Sequence, residues 1–230
     1  MEDIDAIAAL QDPVRRRLYE FVAARGREVG RNEAAEAVGV QRTLAAFHLD
    51  RLVEAGLLES GSRRLTGRSG PGAGRPAKVY RRSPVERQVA LPARDYRTAA
   101  DLLAEAAEAA GLDDGVREAA RRRGRASRGP VGDREELASL LRSRGYEPYW
   151  DEGEDGDEGQ DGAGAGAGSV LRMRNCPFHS VAERFPPLVC GMNLALLEGL
   201  LEGADGWRAR MDPRPGECCT VVEPSKNNES

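Results

Sequence analysis

The stretch Arg31-Asn32-Glu33-Ala34-Ala35-Glu36-Ala37-Val38-Gly39, followed by Gln41-Arg42-Thr43-Leu44-Ala45-Ala46-Phe47-His48-Leu49-Asp50-Arg51-Leu52-Val53-Glu54-Ala55-Gly56, decides the fold of the first third of the chain. Alanine and glutamate favour a short helix over 31–38, and Gly39 stops it, because glycine is the residue that closes a helix in a left-handed conformation. A second helix runs from about Gln41 to Ala55. Two helices joined by a tight glycine turn make a helix-turn-helix. In the second of them Ala45, Leu49, Leu52 and Val53 recur at i, i+4, i+7 and i+8 and form the core face. That leaves Gln41, Arg42, Thr43, Ala46 and Phe47 outward near the N-terminal half, the positions from which a recognition helix reads base edges. His48, on the same helix, is expected to serve structure or a backbone contact.

The flanks extend the pattern in both directions. Upstream, Ile4, Ile7, Ala8 and Leu10 lead into Asp12-Pro13, an N-cap followed by a first-turn proline, and then into Val14, Leu18, Phe21 and Val22 at helical spacing up to Gly26. Downstream, Gly56-Leu57-Leu58-Glu59 starts a strand and Ala77-Lys78-Val79-Tyr80-Arg81 alternates as its return. Between and around them, residues 60–82 carry Arg63, Arg64, Arg68, Arg75, Lys78, Arg81 and Arg82 with no acid among them. A basic hairpin directly after a recognition helix is a wing, and Arg63, Arg64, Arg68, Arg75 and Lys78 are the expected contacts to phosphate or minor groove of a double-stranded DNA operator. The motifs Asp12-Pro13-Val14-Arg15-Arg16, His48-Leu49, Leu52, Ala55-Gly56-Leu57-Leu58 and Gly74-Arg75-Pro76-Ala77-Lys78-Val79-Tyr80, in this order and spacing, resemble the winged-helix regulators of the ArsR/MarR-like group.

Composition bounds the rest. The 230 residues suit two small domains better than one, and 40% hydrophobic content is enough for a core in each. Only 5% of residues are aromatic and the mean hydropathy is −0.55, which speaks against a large ring-walled apolar cavity. No apolar run approaches the roughly 20 residues that span a bilayer, and Met1-Glu2-Asp3-Ile4-Asp5 is acidic where a signal peptide needs positive charge. The expectation is a soluble, cytoplasmic protein without a membrane partner. The net charge of −4 conceals a dipole: residues 1–90 hold sixteen Lys and Arg against twelve Asp and Glu, and residues 91–230 hold eighteen against twenty-six. The two parts face different partners.

The expected fold class is α+β, a winged helix-turn-helix domain over residues 1–83 followed by a small α+β sensor domain. Residues 84–112 form a linker and a helix at 96–110, whose Ala99, Leu102, Leu103, Ala106 and Ala110 make an amphipathic stripe suited to pairing two subunits. A homodimer is expected, since such regulators read two half-sites; the alternative is that this helix packs on its own chain. The sensor domain covers 113–225, with an arginine-rich helix at 116–126 read as a solvated face, a helix at 134–144, strands near 147–150, 169–174, 207–211 and 219–222, and helices near 178–184 and 187–202. Residues 151–168, acidic and then Gly-Ala repeats, and the tail 226–230 are expected to be disordered.

All four cysteines lie in the last quarter, too few and too clustered for a secreted disulfide scaffold. Cys176 stands in Cys176-Pro177-Phe178-His179 where a strand gives way to a helix, Cys190 follows after thirteen residues, and Cys218-Cys219 lies at the start of the last strand. Thiolate and imidazole donors at three element ends suit zinc or an iron–sulfur cluster; the alternative is that Cys190 and one of the final pair merely pack as small hydrophobes. The segments Asn175-Cys176-Pro177-Phe178-His179, Pro187-Leu188-Val189-Cys190, Leu194 to Leu201 and Gly216 through Cys219 resemble the effector domain of SufR-type iron–sulfur winged-helix regulators. The resemblance implies three cysteine ligands to an iron–sulfur cluster, mapping to Cys176, Cys190 and one of Cys218 and Cys219. The doubled cysteine departs from the simpler pattern and leaves the third ligand open, and His179, one helical turn after Cys176, is either the fourth ligand or a local hydrogen-bonding group. A zinc site or a plain thiol switch, with an organic molecule as effector, is the alternative. A thiol-dependent enzyme built on Cys176 and His179 is disfavoured, because that half holds no second histidine, no phosphate-cradling glycine loop and no Ser/His/Asp set.

Overall fold

The computed structural model describes residues 2–63, 76–89, 92, 94–152, 169–204 and 206–225. It divides between Arg94 and Asp95 into two units, each built of helices and one small antiparallel sheet, so the class is mixed α+β. The helix expected within the connecting stretch belongs to the second unit.

In the first unit helix α1 (Glu2–Ala8) and a 3-10 turn (Ala9–Gln11) precede α2 (Pro13–Arg25). The Asp12 carboxylate accepts the Arg15 backbone N–H at 2.9 Å, Pro13 occupies the first turn, and Gly26 closes the helix at φ 62°, a conformation that costs a β-carbon-bearing residue about 1 kcal/mol or more. Helix α3 (Arg31–Val38) ends at Gly39 (φ 70°), where the N–H groups of Gly39 and Val40 reach the Glu36 and Ala35 carbonyls. Helix α4 (Arg42–Glu54) follows. Strands β1 (Val29–Gly30), β2 (Leu58–Arg63) and β3 (Ala77–Arg82) pair in the order β1-β3-β2, with Leu58 opposite Arg82 and Arg63 opposite Ala77. Two-residue β1 carries no readable periodicity and was not expected. Leu18, Val22, Val29, Ala34, Ala45, Leu49, Leu52, Leu58 and Tyr80 form the core, and Val53 packs partly buried at its edge.

The second unit contains α5 (Tyr96–Ala109), α6 (Asp113–Ala126), α7 (Arg134–Ser143), β4 (Pro148–Asp151), β5 (Val170–Met173), α8 (His179–Ala182), α9 (Pro186–Leu201), β6 (Trp207–Met211) and β7 (Thr220–Pro224). The sheet runs β4-β5-β7-β6, antiparallel throughout. One core joins Leu137, Leu141, Leu171, Met173, Leu197, Leu201 and Val222 between α7, α9 and the sheet; a second joins Ala104 of α5 to Phe185, Leu188 and Val189. Helices α6 and α9 approach so closely that a β-carbon on Gly124 would overlap the Leu196 carbonyl oxygen, and one on Gly199 that of Arg121. Arg121 pairs with Glu198 and Arg125 with Glu202, each at 2.5 Å. Part of the arginine cluster read as a solvated face is therefore an ion-pair ladder along this crossing. The loop 151–168 is expected to be disordered from its first residue, but Asp151 closes β4 opposite Val170 with its carboxylate on Arg172, and Glu152 pairs with Arg134; the rest of that loop, 153–168, and the tail 226–230 lie outside the described residues. No helix among the described residues is long and apolar enough to cross a membrane.

Candidate functional site

In the first unit, burial of Ala45, Leu49 and Leu52 fixes the roll of α4. Gln41, Arg42 and Thr43 stand exposed at its start, Ala46 is half-buried, and Phe47 is 54% exposed with the Arg51 guanidinium 5.6 Å from its ring centre. Leu44, not among the residues expected outward, is exposed beside them. Arg42 borders a groove of about 910 Å³ together with Arg31 and Asn32 at the start of α3 and Ser60, Ser62 and Lys78 of the hairpin. Glu33 in the first turn of α3 lines the same groove, so its wall carries both signs of charge. Arg63, largely exposed, lies 3.6 Å from the half-buried Glu28. Arg64, Arg68 and Arg75 lie outside the described residues.

Lys78 has an internal partner. Its ammonium donates to Asp50 of α4 at 2.8 Å, the Tyr80 hydroxyl donates to the same oxygen at 2.6 Å, and Arg31 reaches the carboxylate at 3.2 Å while donating to the Tyr80 oxygen at 2.8 Å. Asp50 stays below the ordinary carboxylate range because the bonds from Lys78 and Tyr80 outweigh its desolvation; burial and the neighbouring carboxylate push Tyr80 up to about 12. This cluster ties α3, α4 and β3 into one frame. The sequence reading missed Asp50, Tyr80 and Arg31, since the contacts join residues far apart in the chain. His48 is buried on the core side of α4, in keeping with a structural role.

In the second unit the four cysteines come together from the turn after β5, the first half of α9 and the approach to β7, all as free thiols. Electrostatically they run in series, Cys190 beside Cys219, Cys219 beside Cys218 and Cys218 beside Cys176, each thiol shifting the ionisation of the next. A thiol that donates has its own ionisation opposed, and one that accepts is favoured as thiolate. The bond from Cys218 accordingly holds Cys176 below the ordinary thiol value, whereas donation to Cys176 raises Cys218 to about 11. Cys219 is raised chiefly by its bond to Cys218, and burial lifts Cys190 to about 12. Cys190 and Cys219 also border a mostly apolar cavity of about 730 Å³.

His179 sits elsewhere. Its side chain is 64% exposed and its Nε2 lies 3.2 Å from Glu183, one turn on. The thiols are linked in series, and among the described residues no three His, Cys, Asp or Glu side chains form a ready-made metal cage. The donor set nevertheless fits a thiophilic centre: four soft sulfurs in contact, two of them opening on a cavity, with no carboxylate among the hydrogen-bond partners of the thiols. The group reading sequence alone did not find is Asn193, fully buried on α9 between Tyr146, Cys218 and Thr220. Comparison with protein-family models, curated proteins and solved structures gives no match.

Proposed function

We propose that the chain is a DNA-binding transcriptional regulator, a repressor acting as a homodimer, whose first unit is a winged helix and whose second unit holds an iron–sulfur cluster. The observation that carries the reading is the convergence of four thiols from three elements in a unit separate from α4, the helix that leaves Gln41, Arg42, Thr43 and Phe47 bare. Cys176, Cys190 and one of Cys218 and Cys219 are the cluster ligands; His179 would serve as a fourth only after leaving Glu183. When bound, the cluster supplies an inorganic centre that oxidants or iron scarcity can strip. Arg42 and Thr43 read base edges and the hairpin arginines bind phosphate. Ala99, Leu102, Leu103, Ala106 and Ala110 are all exposed while Ala104 packs inward, so α5 offers a second apolar stripe to a partner copy.

A zinc site or a thiol switch is the competing reading, and thiols that neighbour one another in series favour the switch over a four-ligand zinc cage. Anaerobic purification followed by iron, sulfide and zinc analysis separates the two, together with operator binding before and after metal removal. We expect bound iron and sulfide, visible absorbance lost in Cys176→Ser and Cys190→Ser, and operator affinity ~5- to 150-fold tighter for the iron-loaded form, the range of ordinary allosteric coupling. Colourless protein with stoichiometric zinc would overturn the cluster. Affinity unchanged by metal removal would overturn the sensing role.

A further inference from the structure

A fully buried carboxamide is costly unless every polar atom finds a partner, and Asn193 spends all three of its groups at one place. Its Oδ1 accepts the Tyr146 hydroxyl at 2.5 Å. Its Nδ2 donates to Cys218 Sγ at 3.3 Å and to the Thr220 hydroxyl oxygen at 3.4 Å. The orientation of the amide is determined by its neighbours: Thr220 directs its own O–H to Met211 Sδ at 3.7 Å, so its oxygen is left to accept, and an N–H must face it. Asn193 and Thr220 are both fully buried, and Tyr146 and Cys218 are nearly so.

We propose that Asn193 is a positioning residue for the thiol site: it directs an N–H to Cys218, so that Cys218, rather than Cys219, is the third cluster ligand beside Cys176 and Cys190. The proposal rests on the cluster reading above. Three further observations favour Cys218. Cys176 packs against the core that holds Cys218, the Cys218 backbone N–H bonds the Met173 carbonyl at 3.0 Å at the end of the strand leading to Cys176, and Cys218 is itself buried in that core. Cys219 instead adjoins Cys190 at the cavity. A hydrogen bond to a ligand sulfur stabilises the electron-rich form of a cluster and thereby raises its reduction potential. Because Asn193 lies on the same helix as Cys190, three residues on, one helix both supplies a ligand and steadies another.

The test uses the full-length protein reconstituted anaerobically with iron and sulfide. Asn193→Ala and Asn193→Asp should lose iron ~10- to 100-fold faster than the wild type, the usual effect of deleting a ligand's hydrogen-bond partner, with a lower reduction potential and an altered visible spectrum. Tyr146→Phe, which leaves the amide in place but frees its oxygen, should move all three in the same direction by less, and serves if the Asn193 variants do not fold. Cys219→Ala should keep the cluster. In the metal-free protein, hydrogen exchange of the Asn193 side-chain amide should be slow, fast in Cys218→Ala and still slow in Cys219→Ala. If Asn193→Ala and Tyr146→Phe kept wild-type potential, spectrum and iron retention, or if Cys219→Ala lost the cluster and Cys218→Ala did not, the proposal would be wrong. If the wild type took up no iron, the cluster reading would fall, and the exchange experiment alone would decide whether Asn193 positions Cys218.

Discussion

The two units bury and expose opposite kinds of chemistry. In the first, a helix whose inner face is packed to zero exposure at Ala45, Leu49 and Leu52 presents a bare outer edge with cations beside it. In the second, the Cys218 thiol and a carboxamide are drawn into the interior, where each polar atom of the amide is answered by a partner, while Cys176, Cys190 and Cys219 gather half-buried beside them. A surface made to meet a partner needs rigid backing and unspent side chains; a site made to hold an inorganic group needs its donors brought together and shielded. The contrast can be broken residue by residue.

The largest expected effect lies at adjacent turns of α4. Leu49 is fully buried, so Leu49→Ala removes a core side chain and leaves a cavity, costing ~2–5 kcal/mol of stability in urea unfolding. Phe47→Ala, two residues away and largely exposed, should change stability by less than ~0.5 kcal/mol while weakening operator binding. Equal losses of stability in both variants would show that Phe47 belongs to the core and that α4 has no free edge.

These differences mark how far the residues spoke for themselves. Helix limits in the first unit were legible because their signals are local: Asp12 and Pro13 open α2, and Gly26 and Gly39 close α2 and α3. The outward stripe of α4 followed from the same periodicity. The internal partner of Lys78 was not legible, since Asp50 is twenty-eight residues away and is brought to it only when β3 pairs and Tyr80 packs. Gathering of the cysteines into one region was readable from their placement at element ends, but their order of contact was not. Asn193 sits in Cys190-Gly191-Met192-Asn193-Leu194, an apolar helix in which a lone amide gives no sign of its partners.

A middle-sized effect concerns two glycines of the second unit. Gly199 of α9 faces the Arg121 backbone, so the β-carbon of Gly199→Ala has no rotamer by which to escape, and the helices must separate at a cost of ~1–3 kcal/mol. A β-carbon at Gly115 of α6 would meet nothing within 4 Å, so Gly115→Ala should instead gain up to ~1 kcal/mol from lower chain entropy in the unfolded state. Opposite signs in thermal unfolding are the expected outcome. If both variants were stabilising, the close α6–α9 crossing would be wrong, and with it the backing of the helix that carries Cys190 and Asn193.

The smallest expected effect distinguishes two cations bordering the same groove. Arg42 is exposed and has no carboxylate partner among the described residues; if the first unit binds DNA as proposed, it would neutralise a phosphate and release a counterion, and Arg42→Ala should flatten the slope of log affinity against log salt by about one, and relax base preference where it reads an edge. Lys78 already spends its charge on Asp50 at 2.8 Å, so a phosphate beside it gains little net neutralisation. Lys78→Ala should therefore change the slope by well under one, although it removes one of the bonds that fix the hairpin to α4. A full unit lost on Lys78→Ala would mean that the ammonium leaves Asp50 for the phosphate in the complex, and that the carboxylate competes with DNA for Lys78 rather than bracing the frame around it.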